Sequence, residues 1–221
     1  MDPKLGNLRR SYSGSPLRRA ELAPDWLAQF RRWLDAALLH ETVAEPNAMV
    51  LATVSAAAAP STRTVLLKAV DERGLVFFTH YTSRKGRDIA QRPAVSLLFL
   101  WQSLARQVIV SGDAVPVSAA ESDEYFASRP YGSQVGAWAS VQSQLLSSRA
   151  ELEQATTSMR KRFPAGSLVP RPPHWGGIRV TPKTVEFWQG HTDRLHDRLR
   201  YRLQGQAEGT EGKWVIERLA P

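Results

Sequence analysis

With 221 residues, 43% of them hydrophobic, the chain has the length of one ordinary domain, or of one domain with a long excursion, and can supply a substantial core. No apolar run is long enough to cross a bilayer, the N-terminal stretch carries arginines without the apolar block of a secretory signal, and there is no Cys for a disulfide framework, a thiol nucleophile or an iron–sulfur site, so a cytoplasmic protein is expected. The formal charge of +8 attracts anions without choosing among phosphorylated metabolites, nucleotides and nucleic acids.

Residues 1–21 are polar, arginine-rich and punctuated by Ser, Gly and Pro; this segment is expected to be mobile and to settle over a site when ligand arrives. Residues 22–221 are expected to form a single domain. After Pro24-Asp25, the spacing of Trp26, Phe30, Trp33, Ala37 and Leu38 predicts an amphipathic helix whose aromatics belong to the core. From Met49 the pattern turns to β, with short strands expected over 49–55, 63–70, 75–79, 95–101 and 107–111, and a hairpin turn at Asp71-Glu72-Arg73-Gly74. Helices are expected from Ser83 to before Pro93, over 119–128 and, as the longest, over 141–162, where Leu145, Leu146, Leu152 and Met159 offer an apolar side. Beyond a Pro-rich link at 164–173, strands are expected over 177–180, 184–189, 199–203 and 214–218. Many short antiparallel strands with inserted helices predict a barrel, since closure hides the edges of a sheet.

Four constellations could carry chemistry. Along Arg63-Thr64-Val65-Leu66-Leu67-Lys68, strand periodicity puts Arg63 and Lys68 on opposite faces, where they could serve two different anions or simply lie solvated on an edge strand. In Thr82-Ser83-Arg84-Lys85-Gly86, Ser83 is a plausible N-cap. It would set Arg84 and Lys85 in a first helical turn, where cations oppose the dipole unless an anion neutralises them. Tyr125 and Arg129 stand four residues apart and Ser133 follows in the turn after Pro130, together a metal-free phosphate set or an ordinary charged surface. Finally, the stretch from Glu186 to Arg198 sets Trp188, His191, Arg194, His196 and Arg198 among turn residues, a composition suited to a planar anionic ligand. Arg194 and His196 would emerge on one side if strand conformation continued. His191 and His196 do not make a metal site, because no second ligand cluster accompanies them.

These motifs resemble, in order and over nearly the whole chain, the pyridoxine (pyridoxamine) 5'-phosphate oxidase family. The likeness runs through residues 63–68, 79–86, 101–107 and 122–129, then Gly136-Ala137-Trp138-Ala139-Ser140, Gln142-Ser143, residues 186–198 and the terminal Arg218-Leu219-Ala220-Pro221. The resemblance implies an FMN-binding split β-barrel, mainly β with inserted helices, working as a homodimer with its active sites at the subunit interface. It implies oxidation of pyridoxine 5'-phosphate or pyridoxamine 5'-phosphate to pyridoxal 5'-phosphate, with dioxygen reoxidising the flavin and yielding hydrogen peroxide. By motif, Arg63 and Lys85, helped by Arg84, resemble FMN phosphate ligands. Thr64, Val65, Leu66, Leu67, Lys68, Phe78 and Thr79 line the flavin; Gln107, Gln142 and Ser143 are further contacts; and Trp188 with Arg198 resembles the other subunit's contribution. Substrate phosphate falls to Lys68, Tyr125, Arg129 and Ser133, while Arg194, Leu195 and His196 lie over the pyridine ring, Arg194 and His196 in the catalytic role. The segment from Arg9 to Tyr12 matches a region that closes over substrate.

The departures are modest. His80 stands where many relatives have Asn, Phe78 where some have Tyr, and His191-Thr192-Asp193 varies the usual lead into Arg-Leu-His-Asp-Arg. A flavin or deazaflavin reductase of the same barrel would lack the substrate set of Lys68, Tyr125, Arg129, Ser133, Arg194 and His196, which is complete here. A nucleic-acid-binding module would gather its cations into a stripe, whereas here they are interleaved with strand and helix signals; no nucleic acid, membrane or metal partner is expected.

Overall fold

A computed structural model of the chain describes Leu8, Tyr12 and residues 14–205 and 212–221. Of the N-terminal segment matched to a closing region, Arg9, Arg10 and Ser11 lie outside the described residues. The strands are β1 (Ala48–Val54), β2 (Pro60–Leu66), β3 (Ala69–Asp71), β4 (Gly74–His80), β5 (Ala94–Trp101), β6 (Arg106–Pro116), β7 (Trp175–Gln189), β8 (Asp197–Gln204) and β9 (Lys213–Leu219). They form one nine-stranded sheet in the order β2-β1-β5-β6-β7-β4-β3, with β8 on β7 and β9 on β8. The pairs β3/β4, β4/β7, β7/β8 and β8/β9 are antiparallel. Together with the inserted helices α1 (Trp26–Leu38), α2 (Arg84–Gln91), α3 (Ala119–Ala127), α4 (Tyr131–Ala139) and α5 (Arg149–Arg162), this is the split β-barrel class expected from the sequence. Among the described residues, no helix is long and apolar enough to cross a membrane.

The chain divides into two compact units, one of Met1–Val50, Ser96–Ser111 and Pro182–Pro221, the other of Leu51–Val95 and Gly112–Thr181. In the first, Asp25 caps α1 by accepting the Ala28 N–H at 2.8 Å. The helix then buries Trp26, Phe30 and Trp33, as their spacing predicts, each contributing roughly 1.5–3 kcal/mol of transfer free energy. Phe30 meets Phe99 at 5.0 Å and Trp33 meets Phe187 edge-on at 5.2 Å. Leu38, at the end of the same stripe, is exposed. The fully buried Tyr201 donates its hydroxyl to the Ala23 carbonyl at 2.6 Å, and burial pushes its pKa up to about 12.

In the second unit the β3–β4 hairpin turns where its sequence predicts, Asp71 pairing with Gly74. Gly74 sits at φ 135, and a Cβ there would lie 2.1 Å from the Val180 carbonyl oxygen, so only glycine fits. A capping box opens α3, Ser118 and Glu121 bonding each other's backbone N–H. Phe126, Ala137, Val169 and Trp175 form the core beneath it, with Phe78, Tyr125, Tyr131, Trp138 and Phe163 packed against them.

Four sequence expectations change. The strand expected over 63–70 is two strands, because β2 stops at Leu66, Leu67 turns into the core and Lys68 N–H bonds the Val76 carbonyl at 2.8 Å. The strands expected over 177–180 and 184–189 are one continuous β7. The helix expected over 141–162 begins only at Arg149, after the Ser148 cap; Leu145 is fully exposed, Leu146 is exposed, and α5 buries no residue. Of the expected apolar side, Leu152 and Met159 are half-buried. Helix α4, with two glycines and a valine in nine residues, has weak local propensity and was not expected; Ser133 lies within it rather than in a turn.

Candidate active site

The second unit contains a cavity of about 850 Å³, inside the usual ~300–1,000 Å³ range of small-molecule sites. Arg63, Thr64, Val65, Leu66 and Lys68 supply one wall. Phe78, Thr79 and His80 come from β4, Arg84 and Lys85 from the start of α2, and Tyr125, Arg129, Ser133, Gln142, Ser143 and Trp175 are among the other lining residues. Arg63 and Lys68 therefore both line one cavity. Both parities of this stretch contribute, since Arg63 and Val65 line the cavity together with Thr64, Leu66 and Lys68. Leu67 itself is buried in the core.

Two corners of this cavity differ in chemistry. At one, Arg63 donates to the Leu51 carbonyl at 3.2 Å, the Thr53 hydroxyl at 2.7 Å and the Ser61 hydroxyl at 2.5 Å. The same two hydroxyls donate to Asp88, at 2.7 and 3.4 Å, so the carboxylate holds the guanidinium through intermediaries and leaves its charge uncompensated by direct contact. Burial lowers the Arg63 pKa, Asp88 opposes the shift and Arg84 adds to it. Ser83 caps α2 as expected, accepting the Gly86 N–H at 3.3 Å. Gly86 is required there, since a Cβ would come within 2.1 Å of the Tyr81 carbonyl oxygen. Lys85 is buried, and its Nζ donates to the neutral oxygens of Gln142 at 2.8 Å, Thr79 at 3.1 Å and Ser83 at 3.4 Å. Burial, and then the charge of Arg63, brings its pKa down to about 8. Ser143, held at φ 73, accepts the Arg84 N–H at the opening of α2 at 3.1 Å. Two cations, a hydroxyl and a helix N-terminus thus converge as a dianionic phosphate would require.

At the other corner, Tyr125 stacks on Phe78 at 3.8 Å and Arg129 lies 4.6 Å above the Trp175 ring. Arg129 Nη1 is buried without a hydrogen-bond partner, as is Nδ1 of His80. Such groups are costly unless a ligand or water completes them. Burial lowers the Arg129 pKa. His80 stacks on His174 at 5.1 Å; burial, then His174, Lys85 and Arg129, takes its pKa down to about 4, so its ring is neutral near pH 7. The motifs pointed to the cations of both corners but not to the Thr53, Ser61 and Asp88 relay or to the Trp175 platform. The alternation of Ser61 with Arg63 was the one available signal for the relay.

The remaining expected residues belong to the first unit. Gln107 lies half-buried in β6, and Trp188 and Arg198 are directly paired across β7 and β8. Arg198 clasps both oxygens of Glu186, at 2.7 and 3.2 Å, and donates to the Ala220 carbonyl at 3.0 Å. That pair raises the Arg198 pKa. The Trp188 and His196 rings are 4.6 Å apart, and Tyr12 meets them edge-on at 5.9 and 6.0 Å. Strand conformation does not continue through Arg194 and His196, contrary to expectation: β7 ends at Gln189, and residues Thr192–Arg194 form a 3-10 turn with Asp193 at φ 54 and Arg194 at φ 61. Arg194 and Leu195 are exposed, while His196 is half-buried.

Residues 36–189 match the family model of pyridoxamine 5'-phosphate oxidase, and residues 175–221 match the C-terminal dimerisation region of pyridoxine 5'-phosphate oxidase. The chain belongs to the pyridoxine/pyridoxamine 5'-phosphate oxidase family. It is 54% identical over 217 residues to a pyridoxine/pyridoxamine 5'-phosphate oxidase of Burkholderia multivorans, covering 98% of this chain and 99% of that one. A Frankia alni protein of the same description is 51% identical over 220 residues, 99% of this chain and 90% of the relative. Among solved structures, PhzG from Burkholderia lata in complex with tetrahydrophenazine-1-carboxylic acid superposes with a TM-score of 0.83 at 33% identity, covering 95% of this chain and all of that one. A pyridoxamine 5'-phosphate oxidase-related, FMN-binding protein from Nostoc punctiforme shares the fold, with a TM-score of 0.68 at 18% identity over 90% of this chain and 99% of that one.

Proposed function

We infer that this chain is an FMN-dependent oxidase that converts pyridoxine 5'-phosphate or pyridoxamine 5'-phosphate to pyridoxal 5'-phosphate, working as a homodimer. The observation that carries the reading is a single cavity lined by five cations, Arg63, Lys68, Arg84, Lys85 and Arg129, with Arg63 and Lys85 in one hydrogen-bonded corner and Arg129 over the Trp175 ring in another. Such a cavity suits two phosphate-bearing molecules side by side, and the near-full-length likeness to curated oxidases names them. Bound FMN would supply a two-electron acceptor for the hydride lost from the substrate C4' and a route for both electrons to dioxygen, giving hydrogen peroxide. The protein's residues then bind, orient and exclude.

Arg63, Lys85, Arg84 and Ser143 hold the FMN phosphate; Thr64, Val65, Leu66, Phe78, Thr79 and Gln142 line the flavin, with Leu67 behind them; and Gln107, Trp188 and Arg198 are further flavin contacts. Lys68, Tyr125, Arg129 and Ser133 hold the substrate phosphate, and the unpartnered Nη1 of Arg129 supports that role. Arg194, Leu195 and His196 orient the substrate ring so that C4' meets the flavin. The alcohol loses a hydride and its hydroxyl proton; the amine becomes an imine that water hydrolyses, releasing ammonia. The C-terminal dimerisation match supports sites built from both subunits. We read residues 22–221 as the catalytic domain and the cytoplasm as the protein's compartment. Mixing the yellow protein anaerobically with pyridoxamine 5'-phosphate tests the reading: the visible flavin absorbance should bleach and return on admission of air.

A further inference from the structure

The turn joining β7 to β8 carries a second layer of organisation. Asp193 and Arg194 both adopt left-handed backbone, which Asp tolerates and Arg resists, so the turn must be held by other contacts. Leu195 N–H bonds the Thr192 carbonyl at 3.1 Å. The His191 ring bonds Asp197 through Nε2 and Oδ2 at 2.8 Å, and the His191 backbone N–H donates to Nδ1 of His196 at 3.1 Å. Asp197 also accepts the Leu17 N–H at 2.8 Å and a bond from Arg218, which is itself tied to the Leu17 carbonyl at 3.1 Å. Burial works against its ionisation, but these donors prevail and hold its pKa below the usual value.

Donor and acceptor roles follow from chemistry. A carboxylate only accepts, so the proton of the pair with Asp197 resides on Nε2 of His191. A backbone N–H only donates, so Nδ1 of His196 must be unprotonated, and the neutral ring carries its hydrogen on Nε2. The groups facing His196 are the His191 backbone, the cation of Arg194 and the rings of Tyr12 and Trp188. We propose that His191 is a positioning residue that fixes His196 as the Nε2–H tautomer, so that His196 gives a hydrogen bond to a lone pair on the substrate instead of taking a proton from it. While the turn is intact, one nitrogen is occupied and the other is protonated, and burial, then His191 and Arg194, lowers the His196 pKa in keeping with a neutral ring. The identity of the lone pair's owner rests on the oxidase reading; the tautomer does not.

The test uses the FMN-loaded protein with nitrogen-15-labelled histidine, the His196 signals being assigned by their loss in H196Q. Nuclear magnetic resonance should find Nε2 protonated and Nδ1 bare near neutral pH. In H191F, which keeps a ring but loses the donor to Asp197, the two tautomers should mix, and anaerobic reduction by pyridoxamine 5'-phosphate should slow about 5–20-fold with FMN affinity unchanged. Glutamine can return a donor near the Nε2 position, so H191Q should restore both the tautomer and the rate. Protonated Nδ1 in the parent protein, or an H191F protein matching the parent in tautomer and reduction, overturns the proposal. Should H191F fail to fold, the parent spectrum and H191Q decide it. Failure of pyridoxamine 5'-phosphate to reduce the flavin would instead defeat the oxidase reading and leave the tautomer standing.

Discussion

The cavity of the second unit and the β7–β8 region of the first use the same residue types in opposite ways. In the cavity, Lys85 donates to neutral oxygens, Arg63 reaches Asp88 only through hydroxyls, and Arg129 keeps a buried nitrogen with no partner. Around β8, Arg198 is matched to Glu186, Arg218 to Asp197, and Arg200 and Arg202 both to Glu217, whose pKa those two arginines bring down to about 2. A region whose charges are already matched is organised to hold its own shape. One whose buried cations lack direct counter-charges is organised for an anion that arrives from outside.

The widest separation between the regions should come from removing both cations of the phosphate corner. R63A/K85A should weaken FMN binding about a thousand-fold, the joint loss of two sets of charge-assisted bonds, and yield colourless protein. Fluorescence titration of the apoprotein measures it, and affinity within tenfold of the parent would break the contrast. At the other corner, R129A should weaken binding of pyridoxine 5'-phosphate by roughly 1.5–3 kcal/mol while leaving FMN affinity unchanged, because the two corners hold different molecules. Equal losses of FMN and substrate would merge the corners into one.

Acidity sharpens the comparison further. With a folded pKa of about 8 against an ordinary value of 10.5, Lys85 in the apoprotein loses its proton as the pH rises through about 8, while a bound phosphate would favour the charged form. FMN affinity should therefore fall several-fold between about pH 8 and pH 10, and K85R, which stays charged, should flatten that fall. Parallel profiles for parent and variant would remove Lys85 from the phosphate site. The smallest effect belongs to Leu145, which is fully exposed: L145S should change stability by less than about 0.5 kcal/mol in chemical unfolding, whereas a core role would cost several times more.

The sequence made some of this legible and hid the rest for physical reasons. Helix α1 could be read because its apolar period and its Asp25 cap agree, and the capped start of α2 because Ser83 needs only its own next turn. Residues 141–148 misled because the apolar Leu145 and Leu146 extend the helical pattern backwards, although both are exposed and precede the Ser148 cap. The cations of the cavity were identifiable one by one, but that Arg63 and Lys68 line the same cavity is a tertiary outcome that strand alternation alone does not give. The relay through Thr53, Ser61 and Asp88 joins residues up to 35 apart in sequence, and only the alternation of Ser61 with Arg63 marks it locally. Arg194 and His196 were expected on one side of a continuing strand, but two left-handed residues replace the strand that alternation assumed.

The most direct test of the account is the flavin spectrum of the purified dimer during anaerobic addition of pyridoxamine 5'-phosphate. The account predicts that about one FMN per chain bleaches, that one pyridoxal 5'-phosphate and one ammonia appear for each flavin reduced, and that air restores the colour with release of hydrogen peroxide. A flavin that stays oxidised with this substrate and with pyridoxine 5'-phosphate, yet bleaches with a nicotinamide donor, would contradict it and favour a reductase on the same barrel.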